Sequence, residues 1–255
     1  MNRKKTRKKV FAYTISKVKT KQGIGDICTD PDDPKSAVTN NDQEKANIFS
    51  KFFVSVQVDE QDKGPDIKAK PLNERMPPLD MKRMRENVLK YLKSLKPNKK
   101  GGIDKQSPRV LKEVAEEIVD IVLLIFDESL KNTVVPGDWL KAIIAVIFKK
   151  GKKSVVGNYR PVSLTCILCQ VMEKVVRDHI IDHMKRNKLF SKKQYGFLSG
   201  RSVSLQLLFA LEKWTEALDK GEEVDCIYTD FMKAFDRVPH NRLLTKMRYY
   251  GIRYL

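Results

Sequence analysis

The sequence predicts an α+β protein, with helices around a few short strands. Two observations predict it. From Met81 onward apolar residues recur at helical spacing in successive stretches, and two short β-branched runs flank a lysine-rich turn. Strands and helices do not alternate regularly, which argues against a doubly wound parallel sheet.

Each element can be justified in order. Residues 1–85 read as a basic arm and linker, punctuated by Asp30-Pro31-Asp32-Asp33-Pro34 and by Pro65, Pro71, Pro77 and Pro78. One amphipathic helix interrupts them, Asn41 to Val56, with Ala46, Phe49, Phe52 and Phe53 on one stripe and Asn40 or Asn41 as its cap. It can bury one face on a larger neighbour but cannot build a core alone. From Met81, Val88, Leu89, Leu92 and Leu95 form a helical stripe that ends before Pro97. Ser107 before Pro108 reads as a cap and first helical position. The helix behind them carries Leu111, Val114, Ile118, Val122, Ile125 and Phe126 around much of its circumference, which predicts burial.

Ala142 to Phe148 reads as a short buried strand, Lys149 to Asn158 as a basic turn and Tyr159 to Leu164 as the return strand of a hairpin. Helices follow over Thr165–Lys185 and Ser202–Leu218, the second stopped by Gly221. Val224 to Thr229 reads as a strand, Asp230 to Asp236 as a turn into a short helix, and Asn241 to Tyr250 as a last helix stopped by Gly251.

Fifty Lys and Arg face 32 Asp and Glu, a formal charge of +18 in 255 residues. The charge is uneven. Residues 1–21 hold nine bases and no acid, residues 22–81 carry net −5, and residues 82–255 carry +14. A basic body behind a basic arm suits a polyanionic partner, nucleic acid above all; a solvated soluble surface is the other reading. No uncharged apolar run approaches the ~20 residues that a bilayer span needs. The Met1-Asn-Arg-Lys-Lys start has no apolar stretch behind it, and four scattered cysteines form no disulfide framework. These features predict an intracellular protein of nucleus or cytoplasm, neither secreted nor in a membrane.

Several chemical candidates are weak. Cys166-Ile-Leu-Cys169 lacks a second pair and lies in an apolar helical pattern, where core thiols are commoner than metal ligands. His179 and His183 stand i,i+4, but the glutamate of the zinc-protease pattern is absent. Gly151 to Gly157 is not followed by Lys-Ser/Thr, so it is no phosphate loop of that kind.

Two constellations are stronger. The hairpin presents Lys149, Lys150, Lys152 and Lys153 and then Arg160, with no acid from Lys141 to Arg160. Arginine offers a fixed fork to phosphate and lysine a mobile point charge; the plainer reading is a solubilised tip. Asp230 ends an apolar run and precedes Phe231-Met-Lys-Ala-Phe-Asp236. A carboxylate so placed can hold Mg²⁺ for phosphoryl transfer, or it can cap the next helix.

Six strings then share one family's order and spacing. They are Ser107-Pro-Arg-Val-Leu-Lys112, Val135-Pro-Gly-Asp-Trp139, Val146-Ile-Phe-Lys-Lys-Gly151, Asn158-Tyr-Arg-Pro-Val-Ser-Leu164, Gln194-Tyr-Gly-Phe197 with Gly200-Arg-Ser202, and Thr229-Asp-Phe-Met-Lys-Ala-Phe-Asp-Arg-Val-Pro-His240. On these strings the chain resembles the reverse transcriptase of non-LTR (LINE-type, jockey-like) retrotransposons.

The resemblance implies the fingers and N-terminal part of the palm of a right-hand polymerase, preceded by a linker region. Residues 86–222 would be fingers with interleaved palm elements, and residues 223–255 the start of the palm. It implies RNA-directed DNA synthesis, with an RNA template, a DNA primer or target, dNTP and Mg²⁺. Asp230 matches the first metal-binding aspartate and the Phe231 carbonyl the main-chain oxygen beside the metal. Phe235 matches the ring that excludes a ribose 2′-OH, and Arg160 the arginine that contacts the triphosphate, with Lys149 and Lys150 beside it. Lys152, Lys153, Gln194, Gly196, Phe197 and Arg201 fall on stretches that line template and nucleotide. The resemblance selects the metal reading of Asp230 over the cap.

Departures from the family pattern carry their own expectations. Lys105 replaces the second glycine of the Gly-x-Asp-Gly turn, and if that position needs φ > 0 the replacement costs roughly 1 kcal/mol. Leu198-Ser199 replaces the usual Arg-Pro. No Asp-Asp pair follows residue 33, so the second catalytic carboxylate strand, motif B and the thumb lie outside these residues, as does the endonuclease. Two-metal transfer needs converging carboxylates, and this chain supplies one. The expectation is a polymerase fragment inactive alone; the alternative is an inactive basic remnant that still grips nucleic acid.

Overall fold

The computed structural model describes residues 23–57 and 72–253, so the basic arm at 1–21 lies outside the described residues. The chain forms two compact units, one from residues 1–57 with 144–163 and one from 58–143 with 164–255. This division follows packing and is a different criterion from the segments 1–85, 86–222 and 223–255.

In the first unit, β1 (Ile27–Cys28) pairs antiparallel with β2 (Val38–Thr39), Ile27 opposite Thr39. This small hairpin sits inside the stretch that reads from sequence as linker. Helix α1 (Asp42–Ser55) starts where the Asn41 side chain accepts from the Gln43 and Glu44 amides. Strands β3 (Ile143–Phe148) and β4 (Tyr159–Leu164) form a second two-stranded sheet. The core is Ile27, Phe49, Val156 and Tyr159, with Phe49 edge-on to Tyr159 at 5.1 Å. One face of α1 is therefore buried, as its stripe predicts, although Ala46 is exposed and Lys45 is buried, its Nζ donating to the Ile24 carbonyl at 3.0 Å.

The expectation of a buried β3 is corrected. Ile143, Ile144, Ile147 and Phe148 are exposed. A two-stranded ribbon has little to cover its faces, and the β-branched composition that marks a strand says nothing about what packs on it.

The second unit is built on three helices. α2 (Met81–Lys93) is capped by Asp80, whose carboxylate accepts from the Lys82 amide at 3.0 Å. α4 (Ala115–Lys131) and α5 (Ile167–Arg186) pack with it. Met84, Val88 and Leu92 meet Val119, Val122 and Phe126 and the α5 residues Val171 and Val175, all nearly inaccessible to solvent. Trp139 closes edge-on over Phe126 at 5.7 Å. Truncating Phe126 to alanine in such a core typically costs about 3–5 kcal/mol.

The single helix expected behind Pro108 is two. α3 (Pro108–Glu113) ends at Val114, whose φ of −98° and ψ of +23° break the turn before α4. Only one face of α4 is buried; Ile121, Leu124 and Ile125 are exposed. Lys105 has φ +54°, so the left-handed conformation expected of the turn is present, with a residue that disfavours it.

Helices α6 (Val203–Asp219) and α7 (His240–Tyr249) agree with their sequence signals. Val224 to Thr229 is not a strand but irregular and exposed. An apolar run becomes a strand only with a partner ladder, and none lies beside it among the described residues. The end of α7 is stitched down instead: the Leu72 amide donates to Tyr249 O at 2.7 Å and the Met76 amide to Gly251 O at 3.0 Å. Buried His183 reaches the Tyr250 carbonyl through Nε2 at 2.7 Å. Among the described residues no helix is long and apolar enough to cross a membrane.

Candidate functional site

The lysine tip of the first unit is rigid because its own main chain is held. Gly151 stands at φ +91°, and a Cβ there would collide with the Asn158 side chain, so the turn requires glycine. The Asn158 side-chain amide donates to Lys152 O at 2.9 Å and the Tyr159 hydroxyl to Lys153 O at 2.7 Å. The Cys28 amide donates to Ser154 O at 2.9 Å, and the Lys149 amide to Asn158 O at 2.8 Å. Burial pushes the Tyr159 hydroxyl above its ordinary pKa, which keeps it a donor at neutral pH. Lys149, Lys150, Lys152, Lys153 and Arg160 are all exposed. Five cations thus project from one fixed hairpin, which can grip phosphates without reading bases.

In the second unit, Asp230 lies exposed at the end of an irregular segment, and residues 232–237 form turns. No helix begins at Asp230, so the cap reading fails and the short helix expected there is absent. Phe231 and Phe235 are exposed. Phe235 meets Phe197 edge-on, ring centres 5.9 Å apart at 87°. The structure therefore brings together the turn after Asp230 and the Gln194–Arg201 loop.

That loop is closed by Arg201. Its Nη1 donates to Ser191 O and Lys192 O at 3.0 Å and to Gln194 O, and its guanidinium lies 5.5 Å above the Tyr195 ring. Gln194 Nε2 donates to Gly196 O at 3.0 Å. Two of the sequence candidates, Gln194 and Arg201, are thus committed to shaping the loop. Tyr195 joins it to α6 through Phe209, and Ser202 caps α6 by accepting from the Leu205 amide at 3.2 Å.

Among the described residues no three His, Cys, Asp or Glu side chains converge into a metal cage. Asp230 and the Phe231 carbonyl are hard oxygen donors of the kind that share Mg²⁺ with substrate phosphates. The weak candidates have structural roles. Nε2 of His179 meets Pro77 O at 2.6 Å and that of His183 meets Tyr250 O. Cys166 Sγ donates to Asp138 O at 3.4 Å, and Cys169 Sγ to a Glu173 oxygen at 3.6 Å. Burial, with the Glu173 charge, pushes the Cys169 thiol up to about 12.

Sequence reasoning missed Asn158 and Tyr159 as supports and Phe197 as a ring partner. The first two were findable, since Asn158-Tyr-Arg160 places both beside a candidate arginine. The Phe197–Phe235 pair joins loops 38 residues apart, and no local pattern announces it.

Comparison with known proteins adds the family. A model of the reverse transcriptase (RNA-dependent DNA polymerase) family matches residues 147–255. A probable RNA-directed DNA polymerase from transposon BS of Drosophila melanogaster is 27% identical over 234 residues, 86% of this chain and 26% of the relative. The RNA-directed DNA polymerase from mobile element jockey of Drosophila funebris is 30% identical over 164 residues, 64% of this chain and 18% of the relative. A probable RNA-directed DNA polymerase from transposon X-element of Drosophila melanogaster is 29% identical over 152 residues, 59% and 17% respectively. The chain spans about a quarter or less of the length of the curated relatives it matches.

Proposed function

With residues 147–255 belonging to the reverse transcriptase family and the chain related to jockey-type transposon polymerases, we propose that it forms the fingers and first part of the palm of an RNA-directed DNA polymerase. Residues 86–222 are the fingers with interleaved palm elements, residues 223–255 begin the palm, and residues 1–85 are arm and linker.

The observation that carries the reading is the braced hairpin, which presents Arg160 and four lysines on a fixed backbone. Arg160, with Lys149 and Lys150, binds the incoming triphosphate. Lys152, Lys153 and the Gln194–Arg201 loop, with Gly196 and Phe197, line the path of the RNA template. Asp230 and the Phe231 carbonyl hold a divalent cation, Mg²⁺, jointly with the triphosphate. Such an ion supplies Lewis acidity at the transferring phosphoryl group. Phe235 fills the space where a ribose 2′-OH would sit.

The test is binding of dATP with Mg²⁺ and, separately, of a labelled RNA template annealed to a DNA primer. The expected result is that Arg160→Ala weakens dATP binding about tenfold or more while template–primer binding falls far less, since a charged hydrogen bond is worth roughly 1.5–3 kcal/mol. Absence of template–primer binding at low salt, or equal losses for both ligands, overturns the assignment.

A further inference from the structure

Phe197 has an unusual combination of properties. Its φ is +63°, in the left-handed region that non-glycine residues disfavour. Its side chain is 91% exposed, so burial does not compensate for that conformation. What the conformation does accomplish is a contact: the ring stands edge-on to Phe235 at 5.9 Å. The opposite loop repeats the pattern, with Lys233, two residues before Phe235, at φ +53°. Disfavoured backbone on both sides of one pair, held by the loop closure through Arg201, points to a geometry maintained for use rather than for stability.

Phe235 itself is 79% exposed. A ring that selects by filling space must stay in one rotamer, and little around Phe235 restrains it. Among the described residues Phe197 is the aromatic partner placed to do so. We infer that Phe197 is a positioning residue for sugar selection: its ring fixes Phe235 so that a 2′-deoxyribonucleotide is preferred over a ribonucleotide. This rests on the reading of Phe235 given above.

The experiment measures Kd for dATP and for ATP with Mg²⁺ on the full chain, and takes the ratio as discrimination. The variants are Phe197→Ala, Phe197→Gly, Phe197→Tyr and Phe235→Ala, each with a thermal melt. Edge-on ring pairs hold enough energy to shift a rotamer population by roughly 2- to 12-fold. Phe197→Ala and Phe197→Gly are therefore expected to lower discrimination by about that factor with dATP affinity little changed. Phe197→Tyr keeps the ring edge and retains discrimination. Glycine tolerates φ +63°, so Phe197→Gly is expected to melt no lower than the parent while discriminating worse, a combination that a merely structural role does not produce. Unchanged discrimination in both Phe197→Ala and Phe197→Gly, with Phe235→Ala impaired, overturns the inference alone. Unchanged discrimination in Phe235→Ala, or a parent chain that does not discriminate, overturns the reading of Phe235 and the inference with it.

Discussion

Replacing Lys149, Lys150, Lys152 and Lys153 together by glutamine tests whether the hairpin is a phosphate clamp. The structure says that the variant keeps its shape. The tip is braced through main-chain carbonyls of Lys152, Lys153 and Ser154, taken by Asn158, Tyr159 and the Cys28 amide, and no lysine head enters those bonds. The one lost side-chain contact is Lys153 Nζ over the Phe148 ring at 6.0 Å, which at an exposed site is worth about 0.5–1 kcal/mol or less. Each lysine that neutralises a phosphate of single-stranded nucleic acid contributes about −0.7 to the slope of log affinity against log salt, so four contribute roughly −2.8. Between 50 and 200 mM salt the parent chain should therefore lose roughly 50-fold more affinity than the variant. Fluorescence anisotropy with a labelled single-stranded RNA across a salt series reads both slopes, and far-UV circular dichroism checks the fold. Deleting residues 1–21, which hold nine bases, should also flatten the slope more than Arg160→Ala does. A change of less than about 1 in slope for the quadruple variant, with its fold intact, refutes the clamp.

Other consequences are equally direct. Gly251→Ala puts a methyl group against the Glu74 carbonyl oxygen at a residue with φ +78°, and should cost about 2–4 kcal/mol in urea unfolding, with faster proteolysis near residues 72–77. Lys105→Gly relieves φ +54° but adds freedom to the unfolded chain, for a net gain of about 0.5–1 kcal/mol and a melting point about 1–4 °C higher. Iodoacetamide at pH 8 followed by peptide mapping should modify exposed Cys226 first and buried Cys169 last, since the Cys169 thiol is pushed up to about 12 and carries almost no thiolate there.

Much of the helical framework was legible because its determinants are local. Asn41 caps α1, Asp80 precedes α2, Ser202 caps α6 and Gly251 ends α7, and each signal lies within one turn of the boundary it sets. The failures share one cause, dependence on a distant partner. Val224 to Thr229 has strand composition but no ladder beside it. β3 has core composition but no layer over it. α4 is apolar around its circumference, yet only the face toward α2 and α5 is covered. The break at Val114 has neither proline nor glycine to announce it.

The same distinction divides the candidate site. The clamp is local: charge, turn glycine, braces and Arg160 all lie within Lys149 to Arg160, so composition and spacing nearly suffice to draw it. The sugar-selecting half is assembled from two loops, and its residues were recognisable only as strings that resemble a family. Arg201 illustrates what strings omit. As a basic residue in a template-lining stretch it reads as a nucleic-acid contact, yet its guanidinium is spent on three carbonyls and the Tyr195 ring. Its charge still reaches the site, but its larger effect is conformational, because the loop it closes is the one that holds Phe197 against Phe235. Residues whose role is to hold others in place are defined by contacts rather than by spacing, and a structure is needed to tell them from residues that touch the substrate.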